Sequence, residues 1–177
     1  GGFFRSIRTD FLPAAGSYSV FVVLHVWPGG PNGVGGLIGW GDFRRQAEGA
    51  CVALKFGPPS LMDRHLPLAP GLASIHTHWG PTSAHATMTR PILLETSFDG
   101  SQSIIRINGE LACNRSVSGH VRGPGPLLIG ATAFGDGVDD HHYFRGDIAE
   151  VIVYGGALDD KERAGLEEYF NERYGLD

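Results

Sequence analysis

The segment Asp136-Gly137-Val138-Asp139-Asp140-His141-His142 sets three carboxylates and two imidazoles in a glycine-containing stretch between extended runs. Calcium takes about six to eight oxygen ligands from flexible loops, and Asp136, Asp139 and Asp140 with nearby carbonyls would supply several of them. The spacing has no regular Asp-x-Asp-x-Asp repeat, so a solvated acidic loop is the competing reading. His76-Thr77-His78 puts both imidazoles on one face of a strand. Zinc would need a third ligand, with His65 or His85 the available donors, and a polar strand face lining a groove is the simpler account. Trp27, Trp40 and Trp79 lie at the ends of extended runs, where an indole can stack on a sugar ring while polar neighbours bond its hydroxyls. Two of the three are expected to be core or edge packing; Trp79, flanked by His78 and Gly80-Pro81, is the first choice for an exposed ring and Trp40 the second.

Catalysis has a harder case. A retaining glycosidase needs two carboxylates about 5–5.5 Å apart. Glu95 and Glu110 each stand alone on their strands, and alternation sends Asp147 and Glu150 to opposite faces unless a bulge intervenes. Glu150 is therefore expected to be structural, tied by hydrogen bonds near the terminal helix, and Asp147 is expected to be structural by the same logic. A lyase would want Tyr, His and Arg on one concave sheet, for which Arg106, His76 and His78 are the candidates. The glycine cluster Gly29-Gly30-Pro31-Asn32-Gly33-Val34-Gly35-Gly36 precedes a strand, so no helix N-terminus is there to hold a phosphate.

These residues need elements to position them. The chain has 177 residues, with 27 glycines, 11 prolines and only 19% charged residues, a composition that suits many short strands joined by turns. Strands are expected at Ser17–Val26, Gly36–Gly41, Cys51–Phe56, Leu72–Trp79 and Pro91–Phe98, then at Ser103–Ile107, Glu110–Arg115, Leu127–Gly130 and Tyr143–Tyr154. Asn108-Gly109 between two extended runs predicts a type I′ hairpin, because both central residues must take positive φ. That turn would set Ile107 against Glu110, Arg106 against Leu111, Ile105 against Ala112 and Ile104 against Cys113. Only the end reads as helix. Asp159 with Glu162 makes a capping box, Leu166, Tyr169, Phe170 and Tyr174 recur at helical spacing, and Gly175 stands at the C′ position.

The net charge of −5 builds no basic stripe, which argues against nucleic acid and anionic membranes as partners. The longest apolar run, Val20-Phe21-Val22-Val23-Leu24, is far too short to span a bilayer. Gly1-Gly2-Phe3-Phe4-Arg5 has neither an initiator Met nor a charged-then-apolar leader, as expected of a mature product or a domain of something longer.

The run Tyr143-Phe144-Arg145-Gly146-Asp147-Ile148-Ala149-Glu150-Val151-Ile152-Val153-Tyr154, with Ala157-Leu158-Asp159, Glu162 and Tyr174-Gly175-Leu176, resembles the C-terminal signature of LamG-like jelly-roll domains. Those domains belong to the concanavalin A-like lectin/glucanase superfamily. Leu94 through Phe98-Asp99-Gly100, followed by Ile105-Arg106-Ile107-Asn108-Gly109, resembles the same family's paired turns. The resemblance implies an all-β fold, an antiparallel two-sheet jelly-roll sandwich with one C-terminal α-helix, as a single domain over residues 1–177. It also implies an extracellular or cell-surface module that binds a glycan or glycosylated protein within a larger assembly, with calcium at a loop rim. On that reading Trp79, Trp40, His76, His78, Arg106 and His142 contact ligand, and Asp136, Asp139 and Asp140 hold the cation. A structural surface or virion protein with no sugar ligand is the alternative, and a polysaccharide-cleaving enzyme the second, since one scaffold carries many functions.

Asn114-Arg115-Ser116 is an N-glycosylation acceptor in a eukaryotic secretory host. Cys51 and Cys113 invite a disulfide, but the expected register puts Cys113 with Ile104 and Leu111 while Cys51 lies on a more polar face. Thiol titration of the unfolded protein is expected to count two free thiols; a count of zero would establish the bridge.

Overall fold

A computed structural model describes residues 4–5, 17–27, 35–40, 52–57, 72–76, 83–87, 90–116, 127–131, 133–134, 137–138 and 143–176. Among the described residues, thirteen strands precede one helix: β1 Phe4–Arg5, β2 Tyr18–Val26, β3 Gly35–Trp40, β4 Val52–Gly57, β5 Leu72–His76, β6 Ser83–Thr87, β7 Ile92–Phe98, β8 Gln102–Ile107, β9 Glu110–Ser116, β10 Leu127–Ile129, β11 Ala133–Phe134, β12 Gly137–Val138, β13 Gly146–Tyr154 and α1 Asp160–Tyr174. One sheet has six strands in the order β1-β10-β3-β4-β5-β6, the other five in the order β13-β2-β7-β8-β9, and β11 pairs with β12 alone. Each described pairing is antiparallel. The all-β sandwich with a terminal helix is thus the architecture of the chain. Strand β6 was not among the expected elements, because Ser-Ala-His-Ala-Thr has too little apolar content to signal an extended run.

Strand β2 explains the layering. Its even residues Tyr18, Val20, Val22 and Leu24 enter the sandwich core beside Leu37, Ile38, Ile92, Leu94, Phe98, Ile105 and Leu127. Its odd residues Phe21 and Val23 pack on the other side with Leu93, Phe170 and Leu176. The continuous apolar run from Val20 to Leu24 is therefore a strand buried on both faces. Phe170 of α1 stacks on Phe21 with ring centroids 6.1 Å apart, and Tyr174 stacks on Phe170 at 6.4 Å.

Local signals set the boundaries of these elements. Asp159 caps α1 by accepting from Glu162 N at 2.8 Å, while Glu162 reaches back to Asp159 N at 3.0 Å. Gly175 takes the left-handed conformation and donates to Asn171 O at 2.8 Å. Ser19 Oγ accepts from Leu158 N at 3.0 Å, which ties the helix entry to β2. At the β7–β8 turn, Asp99 Oδ1 accepts from Ser101 N and Gln102 N, and these bonds hold its carboxyl below the usual range.

The Asn108-Gly109 turn forms with φ of 50° and 77°. Asn108 Oδ1 also accepts from Leu93 N at 2.8 Å, anchoring the hairpin to β7. The register departs from expectation one step from the turn. Arg106 faces Leu111, but Ile105 faces Cys113 and Ile104 faces Asn114, because Ala112 forms a bulge. Cys113 therefore turns inward, half-buried against the sandwich core, as a free thiol.

One charged cluster lies between the five-stranded sheet and α1. Glu95 is 3% exposed and faces Arg106 across the β7–β8 ladder, Nε to Oε1 3.8 Å. From α1, Arg163 bonds Glu167 through Nη1, and both flank Glu95. Among the described residues, Glu95 Oε2 and Arg163 Nε have no hydrogen-bond partner. Burial pushes the Glu95 carboxyl up to about 7 and Glu167 adds to this, against the opposing pull of Arg163 and Arg106. Between pH 4.5 and 7 the folded chain then holds a proton that the unfolded chain has lost, so stability falls as pH rises through that window and levels above it. The loss is on the order of 3 kcal/mol. Urea unfolding across pH 4.5–8 is expected to show this decline, and Glu95→Gln is expected to flatten it.

Candidate functional site

The structure divides the candidate residues between layers. Trp40 closes β3, opposite Leu127 of β10 and Val52 of β4. His76 closes β5, opposite Lys55 of β4 and Ser83 of β6. Both belong to the six-stranded sheet, whereas Arg106 sits on β8 of the five-stranded sheet. Ile105 and Ile107 on either side of Arg106 pack into the sandwich, so Arg106 faces the helix layer instead. The five-stranded sheet thus separates Arg106 from His76, and the two do not converge on one concave surface. His78, Trp79, Asp136, Asp139, Asp140 and His142 lie outside the described residues. Among the described residues, no three His, Cys, Asp or Glu side chains gather as a metal site would require.

Strand β13 carries a feature that alternation could not foresee. Asp147 pairs with His25 and Glu150 with Val23, two positions apart on β2, because Ala149 is an extra residue. The bulge brings both carboxylates to the helix-facing side. Glu150 is fully engaged there: Tyr169 donates to it at 3.0 Å, Tyr174 at 2.8 Å, and Arg173 Nε lies 3.4 Å away. The expected structural tie between Glu150 and the terminal helix is present. These contacts leave Glu150 poorly suited to act as a nucleophile or general acid.

Asp147 differs. It accepts from Trp27 Nε1 at 2.7 Å through Oδ2, and His25 Nδ1 lies 3.8 Å from the same oxygen. Trp27 N donates to Arg145 O at 3.2 Å, so ring and backbone are both held. Trp27 is nevertheless 55% exposed, although the sequence ranks Trp79 and Trp40 ahead of it as exposed rings. Parity held the missed signal: Val23 and His25 precede Trp27 at alternate positions on the side away from the sandwich core. The partnership with Asp147 required the register of β13, which sequence spacing does not supply. Gly146 sets that approach, because a Cβ there would collide with the His25 carbonyl oxygen and the Phe144 ring.

No sequence family matches the chain, and no curated protein aligns with it. Solved structures do. A heptameric SAP-like pentraxin from Limulus polyphemus superposes with a TM-score of 0.69 at 11% identity, over 93% of this chain and 75% of the pentraxin. The Ruminococcus gnavus IT-sialidase CBM40, solved bound to alpha2,3 sialyllactose, gives 0.57 at 14% identity over 87% and 84% of the two chains. Domain 4 of AbnA, a GH43 extracellular arabinanase from Geobacillus stearothermophilus solved with arabinotriose, gives 0.56 at 16% identity over 92% and 71%. At these identities the likeness concerns the fold. The chain folds as an antiparallel jelly-roll β-sandwich with a C-terminal helix packed on one sheet.

Proposed function

We propose that this chain is a non-catalytic recognition module that binds a glycan or glycosylated surface outside the cell, as part of a larger protein or assembly. The observation that carries this reading is the fold itself, shared with domains solved in complex with sialyllactose and with arabinotriose. Charge agrees with it: a net −5 offers little to nucleic acid, and no described helix is long and apolar enough to cross a membrane. The engagement of Glu150 by two tyrosines and an arginine favours binding over cleavage.

In this reading Trp79, Trp40, His76, His78 and His142 contribute to ligand contact. Arg106 is held beside Glu95 and contributes to the joint between sheet and helix. Asp136, Asp139 and Asp140 follow or flank the short β12 strand and would hold calcium or sugar hydroxyls directly. A glycan array run with and without calcium tests the function, with binding to a defined set of glycans expected; uniform silence would overturn it and leave a structural interaction role. Millimolar calcium is expected to raise the melting temperature and chelator to lower it. No shift would remove the cation.

A further inference from the structure

We infer that Trp27, Asp147 and His25 form a platform that binds an uncharged sugar ring, with the indole as stacking surface and the carboxylate as hydroxyl acceptor. This rests on the glycan-binding reading above and names a place and a ligand class for it. Three observations support the platform. First, the indole is 55% exposed, an exposure that among the described aromatic side chains only Phe4 matches, at 58%. Second, its N–H is pinned to Asp147 Oδ2 at 2.7 Å and its backbone N–H to Arg145 O, so the ring meets a ligand with little rotamer freedom left to lose. Third, Asp147 is itself 66% exposed, and among the described residues nothing engages its second oxygen, Oδ1.

A stacked pyranose or furanose presents its apolar face to the indole and its hydroxyl edge to whatever lies beside the ring. Asp147 Oδ1 is then an acceptor at that edge, and His25, 32% exposed, is a second polar partner on the same side. The location is also available. Helix α1 covers Phe21 and Val23 of β2, whereas Trp27 follows the end of that strand.

The charge pattern selects the sugar class. Asp147 has no arginine or lysine partner among the described residues, and Glu150 stands two positions further along the ladder with its charge compensated by Arg173. A sialic acid or uronate carboxylate brought against Asp147 would meet a like charge with no arginine or lysine beside it among the described residues, in a chain of net −5. Neutral sugars meet no such repulsion.

The test uses the full chain in fluorescence and calorimetric titrations with cellohexaose, xylohexaose, mannohexaose and arabinotriose, and with 3′-sialyllactose as the anionic arm. At least one neutral oligosaccharide is expected to bind and shift the tryptophan emission, with sialyllactose weaker. Trp27→Ala is expected to lower that affinity about tenfold or more. Asp147→Asn keeps an acceptor for the indole N–H, so it is expected to fold normally, bind the neutral sugar several-fold more weakly and lose the discrimination against sialyllactose. Circular-dichroism melting of both variants within a few degrees of the parent separates lost binding from lost folding. Binding to a neutral sugar that neither variant weakens overturns the platform while leaving the glycan-binding reading intact. Binding to sialyllactose alone overturns the assigned sugar class. Silence toward every probe overturns the platform, and the glycan array then decides separately whether the reading beneath it stands.

Discussion

Burial of β2 on both faces is the constraint from which the rest of the molecule follows. A strand that sends Val20, Val22 and Leu24 one way and Phe21 and Val23 the other cannot stop at two layers. The second set needs a cover, and α1 supplies it through Phe170, with Leu166 and Tyr174 packed around it. The capping box, the left-handed Gly175 and the Ser19 hydroxyl on Leu158 all fix where that cover begins and ends. Covering the five-stranded sheet also decides what it can do. Its outer face is joint rather than groove over the helix footprint, and the polar groups at the far end of β2 remain open.

The joint is not purely apolar. Glu95, Arg106, Arg163 and Glu167 form a charged cluster beside the aromatic contacts, with two polar atoms left unsatisfied. Burying such a group of charges gains little stability relative to apolar packing, while deleting a single member strands the others. Position along the helix is what the cluster constrains: Glu167 lies against Gly109 of the hairpin, where a Cβ would come within 3.3 Å of its carboxylate. Hairpin, ladder and helix thus meet at one place, and the glycine of the turn makes room for the helix as well as the positive φ.

Most of this architecture was legible in residue types. The Asn108-Gly109 turn, the Asp159–Glu162 box, the terminal glycine and the apolar alternation each encode a local preference with a physical cause, and each appears as read. The misreadings share an origin in pairing between strands. Ala112 and Ala149 look like ordinary strand residues, and only their partners reveal them as extra. The first turned Cys113 inward; the second put Asp147 and Glu150 on one side. Trp27 was underrated for the same reason, since its hydrogen-bond partner lies 120 residues away. The ligand-contact candidates at Trp79, His78 and the acidic segment lie outside the described residues, and for them composition says what is present but not what it faces.

The bulges at Ala112 and Ala149 lie on β9 and β13, the two outermost strands of the same five-stranded sheet. Another chain approaching either margin would find donors and acceptors out of step with a regular ladder, and a locally increased twist. Addition of a further regular strand is therefore disfavoured at both margins of the five-stranded sheet, so that this sheet ends where its own chain ends it.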